Sequence, residues 1–325
     1  MKIMFLHAWG INTLTPQPKG LDRNFIGDET VSIAFCKYLK RKYADFIELS
    51  GRYWDRTVDR DDFDICVDMN YTLADREKAK KQLWYCQNGY REGSERIFEE
   101  KSQYYDGIII GAKKLYEIYK DWTSRSGHKP IYMPVATDVE LWYPEPDPQF
   151  NFDIMYCGND TKLERTLPMI NPCLKYNFGL FGRWSEECKK YLYDISLGQV
   201  SMDDLRKVYS STKYMLNIHM ADMANYGLYT GRMFDVLACN GIVISDNSYG
   251  LSEEFGERIL IVNNENELIG LLHKLLSGEI IDDPKILNII SKPKSELSNR
   301  QWLIQNKYTW EDKTNQLVEY LKEFE

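Results

Sequence analysis

The sequence predicts an α/β protein made of two similar halves, each a parallel β-sheet covered by helices. Short apolar runs typical of buried strands alternate along the chain with amphipathic helical patterns, and this alternation favours parallel sheets. A stretch rich in proline and acidic residues, at 137–150, interrupts the alternation, which then resumes. Such a stretch is typical of an interdomain linker. The predicted domains are therefore residues 1–145 and 146–308, with the final helix, 309–325, packing back on the first.

The composition narrows the class of protein. The chain has 325 residues, 43% hydrophobic and 28% charged, which is typical of a soluble globular protein with room for two cores. Its net charge of −8 disfavours a protein that coats nucleic acid, although a local basic cleft stays compatible. The seven scattered cysteines indicate reduced, buried thiols. No apolar run approaches the roughly 18 residues that span a bilayer, so we expect a cytoplasmic protein that could touch a membrane only from its surface.

Apolar runs and helical spacing place the individual elements. In the first half, strands are predicted at 2–7, 44–50, 64–69, 83–88, 105–111 and 130–136, and helices at 28–43, 73–82, 94–105 and 112–122. In the second half, strands are predicted at 152–158, 175–182, 214–219, 242–245 and 258–262, and helices at 161–170, 201–211, 232–239, 265–276 and 309–324. Two such halves would face each other across a cleft, and ligands bind at the carboxyl ends of strands in that position.

The stretch from Tyr226 to Asp246 is the centre of the predicted site. It reads as a turn containing Gly227 and Gly231, then a helix, then a strand. A turn that enters a helix presents unpaired backbone N–H groups at a positive helix end, and glycine lets a ligand approach the backbone. Arg232 adds a two-pronged cation that suits a phosphate. The alternative is an ordinary helix–strand unit of an α/β protein.

Several segments resemble, in the same order, landmarks of the GT-B class of glycosyltransferases. The landmarks are residues 26–49, 105–119, 131–144, 152–170, 178–184, 205–219 and 232–246. The last three segments are closest to the spore-coat-type (CgeB-like) branch of group 1 glycosyltransferases. It is the order and spacing of the segments, not any single one, that carries the resemblance.

The resemblance implies a fold and an activity. The fold would be two Rossmann-like domains facing each other across a cleft (GT-B), with the C-terminal helix packing back on the N-terminal domain. The activity would be transfer of a sugar from a nucleotide-sugar donor (a UDP-, GDP- or dTDP-sugar) to an acceptor hydroxyl without a metal. The acceptor would be a saccharide or glycolipid precursor. Alternatives are hydroxymethylated DNA bases as the acceptor, a non-catalytic nucleotide-sugar-binding module, or a sugar epimerase of the same fold.

The same resemblance places the donor in the second half, on residues 158–235. The diphosphate would lie over the turn from Leu228 to Arg232, and Asp235 would hold the ribose hydroxyls. Trp184 could stack on the base or belong to the core, and His219 could contact the donor or be structural. The predicted donor-binding residues are Gly158, Arg165, Gly182, Arg183, Trp184, Asn217, His219, Tyr229, Thr230, Gly231, Arg232 and Asp235.

The first half would bind the acceptor, near residues 7–29 and 84–93. An inverting transferase needs a general base there to take the proton of the acceptor hydroxyl. The candidates are His7, Asp28 and Glu29, which flank a loop of about twenty residues. Asp28 would equally serve as a helix N-cap. In the acceptor region Trp84, Tyr85, Asn88 and Tyr90 could contact a sugar or simply pack in a strand.

Two positions depart from the pattern of the relatives. Asp235 stands where most have a glutamate, and Gly227 stands at the earlier acid of their paired glutamates. Because that pair is typical of retaining enzymes, retention and inversion both stay open. An Asp-x-Asp motif at 59–61 precedes a predicted strand instead of following one, which indicates a solvated connector and not a metal site.

Overall fold

The computed structural model describes residues 1–7, 27–42, 47–52, 63–69, 79–87, 94–158, 163–182, 184, 188, 192 and 197–325. Within these residues the chain forms two parallel sheets, each flanked by helices, which confirms the predicted fold class. All seven cysteines are buried, as the sequence predicted.

The first sheet has, among the described residues, six parallel strands in the order β2-β1-β3-β4-β5-β6. These are β1 (Lys2–His7), β2 (Ile47–Arg52), β3 (Ile65–Asp68), β4 (Lys81–Cys86), β5 (Gly107–Ile110) and β6 (Ile131–Tyr132). Helices α1 (Gly27–Lys42), α2 (Ser94–Ser102) and α3 (Lys113–Tyr119) belong to the same half. Strand β5 is buried on both faces, which explains its unbroken apolar sequence.

Two elements of the first half differ from their predictions. Lys81 and Gln82 begin β4, where they pair with Ile65 and Cys66 of β3, and do not end a helix over 73–82. Residues 73–78 of that predicted helix lie outside the described part of the chain. The polar start of β4 concealed the strand, because composition does not show backbone pairing. Strand β6 is shorter than the predicted 130–136, since Pro134 has no N–H to donate to a strand ladder.

The second sheet runs in the order β11-β10-β9-β7-β8, and its strands are also parallel. They are β7 (Ile154–Cys157), β8 (Phe178–Phe181), β9 (Tyr214–Asn217), β10 (Val243–Asp246) and β11 (Leu260–Val262). The helices of the described residues are α4 (Leu163–Ile170), α5 (Met202–Ser211), α6 (Ala221–Tyr226), α7 (Gly231–Ala238), α8 (Leu251–Phe255), α9 (Glu265–Leu276), α10 (Pro284–Ser291), α11 (Asn299–Gln305) and α12 (Trp310–Leu321). Sequence reasoning did not predict α6, α8, α10 or α11. Three of these, α6, α8 and α11, have seven residues or fewer and lack a repeating apolar pattern of useful length.

The C-terminal helix α12 packs back on the first half, as predicted. The hydroxyl of Tyr320 accepts from the backbone N–H of Ile108 (3.0 Å) and donates to the carbonyl of Lys129 (3.1 Å). Trp310, at the start of the helix, packs edge-on against Phe35 of α1 with ring centroids 5.3 Å apart. The helix therefore completes the hydrophobic core of the first half, although it follows the second half in the sequence.

The linker after β6 is bonded to both halves. Asp138 accepts from the Tyr38 hydroxyl of α1 (2.8 Å), and Glu145 pairs with Arg206 of α5 (2.6 Å). The chain crosses between the halves a second time just before α12, and there Thr137 pairs with Thr309 in a short parallel bridge. Both connections thus run side by side at the base of the cleft.

Candidate active site

Parallel pairing brings the carboxyl ends of β7, β9 and β10 together at one edge of the second sheet, where ligands bind in such folds. Asp246, the last residue of β10, is the centre of the polar contacts there. Its carboxylate accepts from the backbone N–H of His219 (3.0 and 3.1 Å), lies 2.6 Å from His219 Nδ1, and pairs with Arg165 Nη2 at 2.9 Å. Sequence reasoning named His219 and Arg165 but missed Asp246, which joins them.

Two nitrogens of this cluster are not satisfied by the residues that the structure describes. Among the described residues, His219 Nε2 and Arg165 Nε are buried and have no hydrogen-bond partner. Buried polar groups in native proteins are nearly always paired, so these nitrogens call for a partner beyond the described residues, and a bound ligand could supply it. Arg165 also lines an open cavity of about 470 Å³ together with residues 224–225, 247–250 and 252–253. A cavity of that volume is in the range of small-molecule sites.

The turn at 227–232 is bonded to the ends of the strands. The hydroxyl of Thr230 donates to Asn217 Oδ1 (2.5 Å), and Asn217 Nδ2 donates to the Ser245 hydroxyl (3.0 Å). Both ends of the Asn217 amide are therefore used inside the protein, so its geometry suits positioning the turn. Direct contact of Asn217 with a donor stays a prediction.

Arg232 stands in the first turn of α7, at the end of that loop. Its guanidinium carbon lies 4.8 Å from the centre of the Tyr156 ring, and among the described residues its buried Nη1 has no hydrogen-bond partner. No side chain caps the first N–H groups of the helix at Thr230. An uncapped helix start beside a cation with an unsatisfied nitrogen is an arrangement that favours anion binding.

Two glycines let the loops after β7 and β8 approach each other. Gly182 has φ +125°, and a Cβ there would lie 1.8 Å from the carbonyl oxygen of Gly158. The neighbouring Trp184 is 7% exposed and packs edge-on against Tyr156 (centroids 6.1 Å apart), so its ring belongs to the core of this half and offers no open stacking face. Arg183 lies outside the described residues.

Asp235 lies one turn beyond Arg232, and the linker contacts it. The hydroxyl of Thr137 donates to its carboxylate at 2.8 Å. Burial raises the pKa of Asp235 to about 8, and the Thr137 bond only partly opposes that shift. An acid with so raised a pKa next to an anion site is typical of a functional position.

The raised pKa predicts how stability depends on pH. The unfolded carboxyl has a pKa near 3.9 and the folded one about 8, so the folded state binds the proton more tightly between these values. Stability is therefore lost as the pH rises from about 4 to about 8. Asp235→Asn removes this loss of stability. We expect the variant to have a free energy of unfolding about 3 kcal/mol higher than the wild type at pH 8, because the residue is partly exposed and solvent reduces the effect of its pKa shift. At pH 4 the two proteins should be almost equally stable.

Denaturant titrations at pH 4, 6 and 8 test this expectation. The exposed acid Asp282, changed to asparagine, controls for the loss of one charge. A stability difference between wild type and Asp235→Asn that is the same at all three pH values would contradict it.

The candidates for the general base in the first half lie at the end of β1 and in the first turn of α1. Helix α1 begins at Gly27, so Asp28 and Glu29 lie in its first turn and Asp28 is not the N-cap; His7 ends β1. The side chains of these three residues lie outside the described part, so the general base stays a prediction.

The expected acceptor contacts need one correction. Trp84 and Tyr85 are fully buried in β4: Trp84 stacks on Phe98 (5.7 Å), and the Tyr85 hydroxyl donates to the carbonyl of Met133 (2.9 Å). They pack the core and cannot stack on a sugar. Asn88 and Tyr90 lie outside the described residues.

Part of the chain matches a known protein family. A family model described as "Glycosyl transferase-like" matches residues 164–286, which include His219, the 227–232 turn and Asp246. No curated protein sequence matches the chain significantly. Among the described residues, no helix is long and apolar enough to cross a membrane.

Solved structures show the fold over the whole length. Sucrose-phosphate synthase from Thermosynechococcus elongatus has 12% identity and a TM-score of 0.69, covering 99% of this chain and 98% of that one. HepE from Anabaena, in complex with UDP-glucose, has 11% identity and a TM-score of 0.68, covering 99% and 100%. An E. coli structure described as trehalose-6-phosphate bound with UDP-2-fluoro glucose has 9% identity and a TM-score of 0.64, covering 99% of each chain. The chain therefore has the GT-B fold of glycosyltransferases.

Proposed function

We propose that the chain is a glycosyltransferase that moves a sugar from a nucleotide-sugar donor to an acceptor hydroxyl. The observation that carries the proposal is Arg232, whose unsatisfied guanidinium nitrogen stands at the uncapped start of α7. In the reaction the bond between the sugar C1 and the diphosphate oxygen breaks, and negative charge develops on the leaving nucleoside diphosphate. Arg232 and the backbone N–H groups of the turn would stabilise that charge.

The remaining contacts with the donor would come from residues at the same edge of the second sheet. Asp235 would hold the ribose hydroxyls, and Arg165 would reach the phosphates or the sugar. Because Arg232 supplies the positive charge at the leaving group, we infer that no metal is required. The complexes of HepE with UDP-glucose and of the E. coli structure with UDP-2-fluoro glucose support a UDP-sugar as the first donor to test, followed by GDP- and dTDP-sugars.

The acceptor would be a saccharide or a glycolipid precursor in the cytoplasm, with any membrane contact made from the surface. The described residues give little support to DNA bases as acceptors. Lys113 is neutralised by Glu254 (3.3 Å), and the ammonium of Lys114 lies over the rings of Tyr226 and Tyr249 at 5.6 and 5.7 Å. A basic track would need such lysines free to face phosphate.

A panel of nucleoside diphosphates tests the donor site. We expect one of UDP, GDP, dTDP, ADP and CDP, with CMP as a further probe, to raise the melting temperature, because a ligand that binds only the folded state stabilises it by about 2.7 kcal/mol at a hundredfold excess over Kd. The diphosphate that binds selects the nucleotide sugars for turnover assays. Absence of stabilisation by every nucleotide would contradict a nucleotide-sugar donor, and binding without transfer or donor hydrolysis would favour a non-catalytic module.

A further inference from the structure

We propose that Lys113 is a positioning residue of the donor site, inserted by the first half across the cleft, so that the turn at 227–232 takes its binding geometry only when the two halves are closed. The inference rests on the proposed function, since it assigns that turn to the donor. It is carried by contacts of Lys113 that all lie in the second half.

Lys113 is the first residue of α3, and both its backbone and its side chain reach across the cleft. Its N–H donates to the carbonyl oxygen of Gly227 at 3.2 Å. Its ammonium nitrogen lies 3.3 Å from Glu254 Oε1, and the two side chains are 23% and 17% exposed. A charge pair so well shielded from water is worth more than a surface pair.

Two glycines of the second half make room for the lysine stem. A Cβ on Gly250 would lie 2.5 Å from Lys113 Cδ, and a Cβ on Gly227 would lie 3.3 Å from Lys113 Cβ. Both glycines have positive φ, +73° and +70°, a conformation that other residues rarely adopt. Gly250 also lines the cavity beside Arg165, so the lysine stem lies directly behind a wall of that cavity.

Glu254 connects the lysine to the turn itself. The pKa of the Tyr229 hydroxyl is raised by burial and, to a lesser degree, by the nearby charge of Glu254. The hydroxyl itself donates to the carbonyl of Tyr249 at 3.3 Å. The second carboxylate oxygen, Glu254 Oε2, is buried and has no hydrogen-bond partner among the described residues. Removing Lys113 would therefore take the ion-pair partner from a shielded carboxylate next to Tyr229, in the middle of the turn, and leave Lys313 of α12 as its nearby cation.

The surrounding contacts show that the halves are closed at this point. Leu228 of the turn packs in one apolar cluster with Ala112 and Leu115 of the first half. At the rim, the Tyr249 hydroxyl donates to Glu117 of α3 at 2.6 Å. The turn is therefore held between α3 on one side and the strand ends on the other. Opening the cleft would remove Lys113 from beneath it.

The test measures UDP affinity by calorimetry for Lys113→Met, with Lys120→Met as the matched control. Lys120 caps the other end of α3 and is exposed. We expect Lys113→Met to weaken UDP binding about tenfold, equivalent to about 1.4 kcal/mol, while Lys120→Met binds as the wild type does. Lys113→Arg, which keeps the cation, should retain most of the affinity.

A double-mutant cycle separates positioning from a general loss of stability. Glu254→Gln should weaken UDP binding to a similar degree, and the double variant should be no weaker than the single ones, because both remove one interaction. Small-angle scattering should show compaction on UDP addition for the wild type and Lys120→Met but less for Lys113→Met. Equal affinity and equal compaction of the two methionine variants would overturn the inference and leave the proposed function standing. A wild type that binds none of the nucleotides tested would overturn both.

Discussion

Replacing Arg232 by alanine is expected to weaken nucleoside diphosphate binding about a hundredfold and to lower the transfer rate further. The reason is the geometry at the start of α7, where the guanidinium has a buried nitrogen that no described residue satisfies. A charge-assisted bond to each phosphate contributes about 1.5–3 kcal/mol, and about 2.7 kcal/mol corresponds to a hundredfold change in Kd. The rate falls further because charge on the leaving diphosphate grows in the transition state.

Arg258 supplies the matched control for this variant. It is also buried in the second half, but its Nη1 donates to the carbonyl of Leu297 (2.9 Å) and its guanidinium lies over Trp302 (5.3 Å). Arg258→Ala should therefore lower the melting temperature and leave nucleotide affinity unchanged. Arg232→Lys keeps the charge but loses the two-pronged donor geometry, so an intermediate affinity is expected. If Arg232→Ala bound the diphosphate as tightly as the wild type, the assigned donor site would be wrong.

Gly227→Glu, which restores the acid found in relatives, is expected to destabilise the protein by about 3 kcal/mol and to weaken donor binding. In the structure, Gly227 has φ +70°, and any Cβ would lie 2.6 Å from the carbonyl oxygen of Tyr249 and close to Lys113. The backbone therefore excludes a side chain at this position, whatever its charge.

Two further variants separate the effect of backbone strain at position 227 from the effect of the added Cβ. Asparagine adopts a positive φ more readily than glutamate does, but it still introduces a Cβ. Gly227→Asn should therefore recover only the part of the lost unfolding free energy that is due to backbone strain. Gly270→Ala, in α9, is the control, because a Cβ there meets nothing within 4 Å and alanine favours helix. Its free energy of unfolding should rise slightly. Wild-type stability of Gly227→Glu in denaturant titrations would show that the turn adopts another conformation.

Much of the fold could be predicted because its local patterns are strong. The unbroken apolar sequence of β5 and the spacing of α9, capped by Asn264, identify those elements without any tertiary information. Prediction was wrong for the start of β4, where polar residues are held by pairing with β3. It also missed short helices such as α6, whose six residues show no helical period.

For the site, sequence reasoning found the residues that a local motif contains. Arg232 follows a glycine turn and starts a helix, and His219 follows a strand, so both were predicted as donor contacts. Asp246 also ends a predicted strand, and that position was the signal that could have identified it. Lys113 and Glu254 had no such signal, because 141 positions separate two residues that only the closed fold brings within 3.3 Å of each other.

The sequence by itself therefore determined the alternation of strands and helices, because that alternation depends on residues close together in the chain. For the same reason it could predict a linker and an anion site at the start of α7. Only the tertiary structure decided which side chains share a carboxylate, that Trp84 and Trp184 belong to the core, and why position 227 is a glycine. These depend on packing between distant segments. The space beside Gly227 is occupied by Tyr249 and by a lysine from the opposite half, and no local pattern can encode a contact of that kind.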